Sequence, residues 1–131
     1  MAEYYFNFKI KESGRDFTAV SRELYAETHN PMSANSQKVL FNNNIISNIG
    51  DILHKSTQID EKIICEACFI YGITENHANI LRLDYAGYAE KIFAMPENIG
   101  DPYGGILEVY EKCFEKIKRA VDTIIDNLQG S

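Results

Sequence analysis

The stretch Ile106-Leu107-Glu108-Val109-Tyr110-Glu111-Lys112-Cys113-Phe114-Glu115-Lys116-Ile117-Lys118-Arg119-Ala120-Val121-Asp122-Thr123-Ile124-Ile125-Asp126-Asn127-Leu128 governs how the rest of the chain is read. Apolar residues recur in it at Ile106, Val109, Tyr110, Cys113, Ile117, Ala120, Val121, Ile124 and Leu128, the three-and-four spacing that lines one side of an α-helix. Asp101 is placed to cap the start, Pro102 suits the first helical position, and Gly130 follows the end. On the outer face Glu108 precedes Lys112 and Glu115 precedes Arg119 by four positions, pairs worth roughly a few tenths of a kcal/mol. The apolar face matters more, since each larger side chain contributes about 1.5–3 kcal/mol when fully buried. Such a helix is a docking element, and residues upstream must supply its partner surfaces.

The chain has 131 residues, of which 45% are hydrophobic and 24% charged, enough to bury a core in one globular domain spanning 1–131. Its formal net charge is −6, with 13 Lys and Arg against 19 Asp and Glu. Binding to a phosphate backbone draws its affinity from cations that displace counterions, so direct nucleic-acid binding is not expected. An acidic surface keeps a protein soluble and also suits a partner with a basic surface. The sequence holds no run of 18 apolar residues and starts without a basic-then-apolar leader, so the expectation is a cytoplasmic protein with no membrane contact. Three cysteines, Cys65, Cys68 and Cys113, in a chain of this size read as reduced thiols.

From Tyr4 to Lys11 the residues alternate, with Tyr4, Phe6, Phe8 and Ile10 on one side and Tyr5, Asn7, Lys9 and Lys11 on the other. That reads as a strand with one buried face, and its backbone needs a partner, either in this chain or in a second copy. After Ser13-Gly14-Arg15, a short helix is expected from Asp16 through Tyr25, ending at His29-Asn30-Pro31; a hairpin arm over Asp16 to Leu24 also fits. Ser33 to Ser36 offers caps for a second amphipathic helix reaching Leu53, with a break at Asn42-Asn43-Asn44. Ile59 to Tyr71 fits a helix stopped by Gly72, although Ile63 to Ile73 is apolar enough for a buried strand. Thr74 suits the cap of a further helix running to Ile92, whose inner part Ile80 to Tyr85 also alternates like a strand. Pro96 to Gly105, rich in proline and glycine, reads as a loop.

Cys65-Glu66-Ala67-Cys68 has the spacing that presents two thiolates to a zinc ion. Set between Ile63-Ile64 and Phe69-Ile70, the two cysteines read instead as small buried hydrophobes, and neither a metal nor a cofactor is assigned. Asp51 and His54 stand one turn apart, as in di-iron bundles, but the motif occurs once, so a surface pair is expected. No phosphate loop, dinucleotide turn or nucleophile elbow is present, and no catalytic residue is assigned. Arg82 and Asp84 stand in an apolar run beside Tyr85, where a charge needs a partner or a ligand. Asn98, Tyr103 and Gly104 lie on the loop preceding the last helix, with backbone room for a partner to approach. These six residues form the expected partner- or ligand-binding set.

Taken together, the patterning predicts a mainly α (α+β) fold, a single-domain bundle of about four to five helices with a short N-terminal strand or hairpin. Size, acidity and the missing catalytic signatures point to a small acidic binding or regulatory protein acting by protein–protein contact, of the inhibitor, immunity or adaptor kind. A homodimer through the N-terminal strand is the accompanying expectation. A second reading is a small-ligand sensor or enzyme with a pocket between helices around Arg82 and Tyr85. A third is a metal protein using Cys65 and Cys68.

Overall fold

In the computed structural model the described residues are 1–14, 16–22, 34–47, 57–100, 102 and 105–129. The C-terminal helix spans Leu107–Gln129 and is labelled α5. Its buried stripe is Tyr110, Cys113, Phe114, Ile117, Ala120, Val121, Ile124, Ile125 and Leu128, every one a three- or four-step neighbour of another. Relative to the sequence expectation the stripe is rotated towards Phe114 and Ile125. Ile106 lies outside the helix, and both it and Val109 are exposed.

The stretch expected as an N-terminal strand is a helix, α1, spanning Ala2–Ser13. An eight-residue window dense in aromatic rings satisfies a period of two and a helical face alike, so local pattern could not separate them. The tertiary partner did: Tyr5 and Ile10 are buried against α5, and the Tyr5 ring meets Phe114 edge-on with centroids 5.7 Å apart. Gly14 ends α1 in the left-handed conformation, φ 73°, with its N–H returned to the Lys11 carbonyl. With these residues helical, no N-terminal strand edge exists through which two copies would pair. Residues 16–22 contain neither the expected helix nor a hairpin strand. They lie along α1, where the Asn7 amide donates to the Ala19 carbonyl at 3.0 Å and accepts from the Ala19 N–H at 2.8 Å.

Helix α2, Ala34–Asn42, packs Val39 and Leu40 on α5 and ends at the asparagine run, where Asn44 takes a positive φ of 62°. Its expected continuation to Leu53 falls largely outside the described residues, as do Asp51 and His54. Helix α3, Glu61–Glu66, is capped by Asp60, which accepts from the Ile63 N–H at 2.9 Å. Then come strand β1, Ile70–Gly72; helix α4, Glu75–Asp84; a 3-10 turn, Ala86–Lys91; and strand β2, Ile92–Ala94. β1 and β2 are parallel, pairing Ile70 with Ile92, Tyr71 with Phe93 and Gly72 with Ala94. Parallel neighbours require a crossover, and α4 with the 3-10 turn supplies it.

Two faces of this strand pair are covered by different elements. Ile70, Ile92 and Ala94 pack with Ala78 and Leu81 of α4, while Tyr71, Ile73, Met95 and Ile99 join the larger core formed by α1, α2 and α5. The molecule is therefore layered, helix on strand pair on helix, and the expected helical bundle is replaced by an α/β arrangement. The physical reason is the brevity of the strands. Strands buried on both faces read as continuous apolar runs, and three residues carry no period that distinguishes them from a buried helical turn. Among the described residues no helix is long and apolar enough to cross a membrane.

Candidate functional site

In parallel α/β arrangements ligands bind beyond the carboxyl ends of the strands, where the exit loops diverge. Here those exits are Ile73-Thr74 after β1 and residues 95–100 after β2. The Met95 N–H donates to the Gly72 carbonyl at 2.9 Å and the Ile99 N–H to the Ile73 carbonyl at 3.2 Å, so the second exit is stitched to the first. Thr74 accepts from the His77 N–H at 3.2 Å and Asn98 accepts from the Glu75 N–H at 3.1 Å. Both exits thus cap α4, and its first turn is occupied by protein acceptors.

The remainder of the loop is held from two other helices. From α5 the buried Cys113 thiol donates to the Gly100 carbonyl at 3.6 Å, and from the start of α2 the Asn35 amide donates to the Gly105 carbonyl at 3.2 Å. The Gly105 N–H closes a turn on the Pro102 carbonyl at 2.8 Å. The start of α1 joins the same core: Met1 and Ala2 pack against the cluster that holds Met95, Ile99 and Cys113, and burial pushes the Met1 amine below its ordinary value. Met1 is the N-cap of α1 and makes no side-chain cap bond, while Glu3 stands in the first turn and accepts from the Ser21 N–H at 2.7 Å. At the rim, Arg119 makes a two-pronged contact with Glu97 at 2.9 and 3.0 Å, and this hydrogen bonding holds the Glu97 carboxyl below its usual range. The site is thus the carboxyl edge of the strand pair, floored by Met95 and Ile99, with the start of α1 packed on the same core and residues 96–100 running along it.

The expected binding set is divided by the fold. The Arg82 guanidinium donates twice to the Ile92 carbonyl, at 3.2 and 3.0 Å, and once to Asn79 at 3.2 Å, with Glu75 at 3.8 Å. It fastens the end of α4 to the first residue of β2, which is the amino edge of the strand pair. Asp84 is exposed at that same edge, and Tyr85 is half-buried against the smaller core. Asn98 stands at the opposite, carboxyl edge. Tyr103 and Gly104 lie outside the described residues, as does Asp101. Two surface hollows, of about 250 and 430 Å³, are lined by other residues, chiefly Arg22, Asp60 and Lys62 in one and Lys9, Glu12 and Asp122 in the other. Glu97, Arg119, Cys113 and Asn35 are not in the binding set expected from sequence. The prolines and glycines of residues 96–105 marked the loop, but nothing local showed that a parallel strand ends at its start.

No family model matches the sequence. The protein-arginine-phosphatase of Bacillus subtilis (strain 168) is 21% identical over 136 residues, covering 98% of this chain and 87% of that protein. Among solved structures, the low molecular weight protein tyrosine phosphatase of T. tengcongensis superposes with a TM-score of 0.87 at 31% identity, covering 96% of this chain and 88% of that one. An arginine phosphatase variant with serine in place of a cysteine, its active-site serine phosphorylated, superposes with a TM-score of 0.86 at 20% identity, covering 98% of this chain and 86% of that one.

These likenesses correct the reading from sequence in two ways. The shared fold is α/β and Rossmann-like with a parallel sheet, not a bundle. The relatives are enzymes, which overturns the inhibitor, immunity or adaptor role and with it the expected regulatory partner of basic surface and the strand-mediated homodimer. The second reading, an enzyme, is the one the likenesses favour, although its pocket around Arg82 and Tyr85 is at the other edge from the exit loops. By its 31% identity to the T. tengcongensis enzyme across 96% of its length, the chain belongs to the low molecular weight protein tyrosine phosphatase family.

Proposed function

We propose that this protein is a phosphatase that removes phosphate from a phosphorylated protein side chain, phosphotyrosine or phosphoarginine. The observation that carries the reading is the likeness to the T. tengcongensis phosphatase over nearly the whole chain, combined with a carboxyl edge whose exit loop packs on the same core as the start of α1. A helix start presents backbone N–H groups and a partial positive charge, which suits a phosphate dianion.

Phosphoryl transfer also needs a proton for the leaving group. Of the carboxylates near this edge, Glu97 is committed to Arg119 and Glu75 pairs with Arg82. We assign the proton donor to Asp101, which by sequence stands between Gly100 and Pro102 on the loop that follows β2. Asn98, Tyr103 and Gly104 remain on this loop as residues proposed to meet the substrate. No exposed thiol stands at this edge among the described residues: Cys113 is buried, and Cys65 and Cys68 precede β1 at the amino edge.

Phosphate release from a phosphotyrosine peptide and a phosphoarginine peptide, measured beside calorimetric titration with each peptide, tests the reading. Release from one of the two is expected. Binding without release would keep the recognition and remove the hydrolysis, and neither binding nor release would overturn both.

A further inference from the structure

The sequence reading buries Cys65 and Cys68 as small hydrophobes, yet the structure exposes both as free thiols and buries only Cys113. Burial of Ile64 orients this: it is the fully enclosed residue of α3, and Cys65 follows it onto the outer side of the last turn. Ala67 then leaves the helix in extended conformation, φ −71° and ψ 142°, and Cys68 is the next residue, two before β1. The Lys91 ammonium donates to the Cys65 carbonyl at 3.1 Å and to the Ala67 carbonyl at 2.7 Å, which fixes a positive charge on this short stretch. The same ammonium lies 5.1 Å from the centre of the Tyr88 ring, and the neighbouring Cys65 and Glu61 push the Tyr88 phenol above its ordinary value. Two accessible thiols with two residues between them, on a stretch whose carbonyls are held by an ammonium, are open to a disulfide arriving from solvent.

We propose that Cys65 and Cys68 are a redox-active surface dithiol, separate from the carboxyl-edge site, that closes to an internal disulfide by exchange with a small-molecule disulfide of the glutathione class. The Cys65 thiolate attacks one sulfur of that disulfide, breaking its S–S bond and expelling a thiolate. The Cys68 thiol gives its proton to solvent and attacks the Cys65 sulfur of the mixed disulfide, and the second small thiolate leaves. Two protein thiols lose two electrons and two protons, and one small disulfide becomes two thiols. Closure outruns a second exchange because the two sulfurs, in one chain and three positions apart, meet at an effective concentration on the order of millimolar or above. Cys113 is left out by burial.

The test treats the reduced full chain with oxidised glutathione, traps remaining thiols with N-ethylmaleimide, and maps tryptic peptides by mass. Cleavage after Lys62 and Arg82 leaves both cysteines in one peptide, 63–82. That peptide is expected two hydrogens lighter than its reduced form and unalkylated, while Cys113 is alkylated only after denaturation. Cys68→Ser is expected to stop at a glutathione adduct on Cys65. A wild-type peptide carrying glutathione on both sulfurs, covalent dimers in place of the internal bond, or Cys113 reacting as fast as the pair would overturn the proposal.

Discussion

The Tyr5 hydroxyl donates to the Asp122 carboxylate at 2.7 Å across 117 positions of sequence, a hydrogen bond that ties the side chains of α1 and α5 directly. Burial first, then this bond and the neighbouring carboxylates, push the Tyr5 phenol well above its ordinary value. The neutral phenol is therefore favoured in the folded chain. Its stabilisation is complete below the unfolded value near 10 and is lost as pH rises from there, because the unfolded chain ionises first. Tyr5→Phe is expected to cost about 1–2 kcal/mol at neutral pH and to flatten the fall in stability above about pH 10, read by denaturant unfolding across that range. A steeper alkaline fall in the variant would contradict the assignment. Asp101→Asn is expected to lower kcat for phosphopeptide by about 10²-fold or more with little change in melting temperature; an unchanged kcat would take the proton-donor role from Asp101. At this scale the sequence named Asp101 only as a cap, and Arg82 as a ligand candidate when its guanidinium is spent on the Ile92 carbonyl. Residue type announces a charge in an apolar run, but only the neighbouring strand shows which acceptor satisfies it.

Between β1 and α4 the backbones touch. A Cβ on Gly72 would stand 2.5 Å from the Ala78 nitrogen and 2.9 Å from its Cα, atoms of helical backbone that cannot swing aside. Gly72→Ala is expected to destabilise the protein by about 1–3 kcal/mol or more by prying α4 from the strand pair, seen as a melting temperature lower by several degrees. A melting temperature within a degree or so of wild type would mean that α4 can shift without cost. The boundaries that sequence placed well are those with local chemistry. Thr74 caps α4, the asparagine run ends α2, and proline and glycine mark the loop before α5. Of the strands, Ile70-Tyr71-Gly72 falls inside the Ile63 to Ile73 run that also fits a buried strand, whereas Ile92-Phe93-Ala94 is too short to show a period, and the crossover that makes them neighbours spans residues 73–91.

Phe114 is where the larger core converges, 1% exposed on α5 and in contact with Tyr5 of α1. Phe114→Ala is expected to cost about 3–5 kcal/mol, the largest single loss predicted for this chain, as a cavity opens between α1 and α5; a cost under about 1 kcal/mol would show that the core is centred elsewhere. By itself the sequence determined that a long amphipathic helix closes the chain, that a loop precedes it, and that the surface is acidic, because periodicity, turn residues and charge are properties of neighbours in the chain. Tertiary structure alone decided that the aromatic N-terminal stretch is a helix, that two three-residue runs pair in parallel, and that the loop leaving them packs on the same core as the start of α1. Those choices depend on which surfaces face each other across the core, and an apolar side chain carries no mark of the partner it will find there.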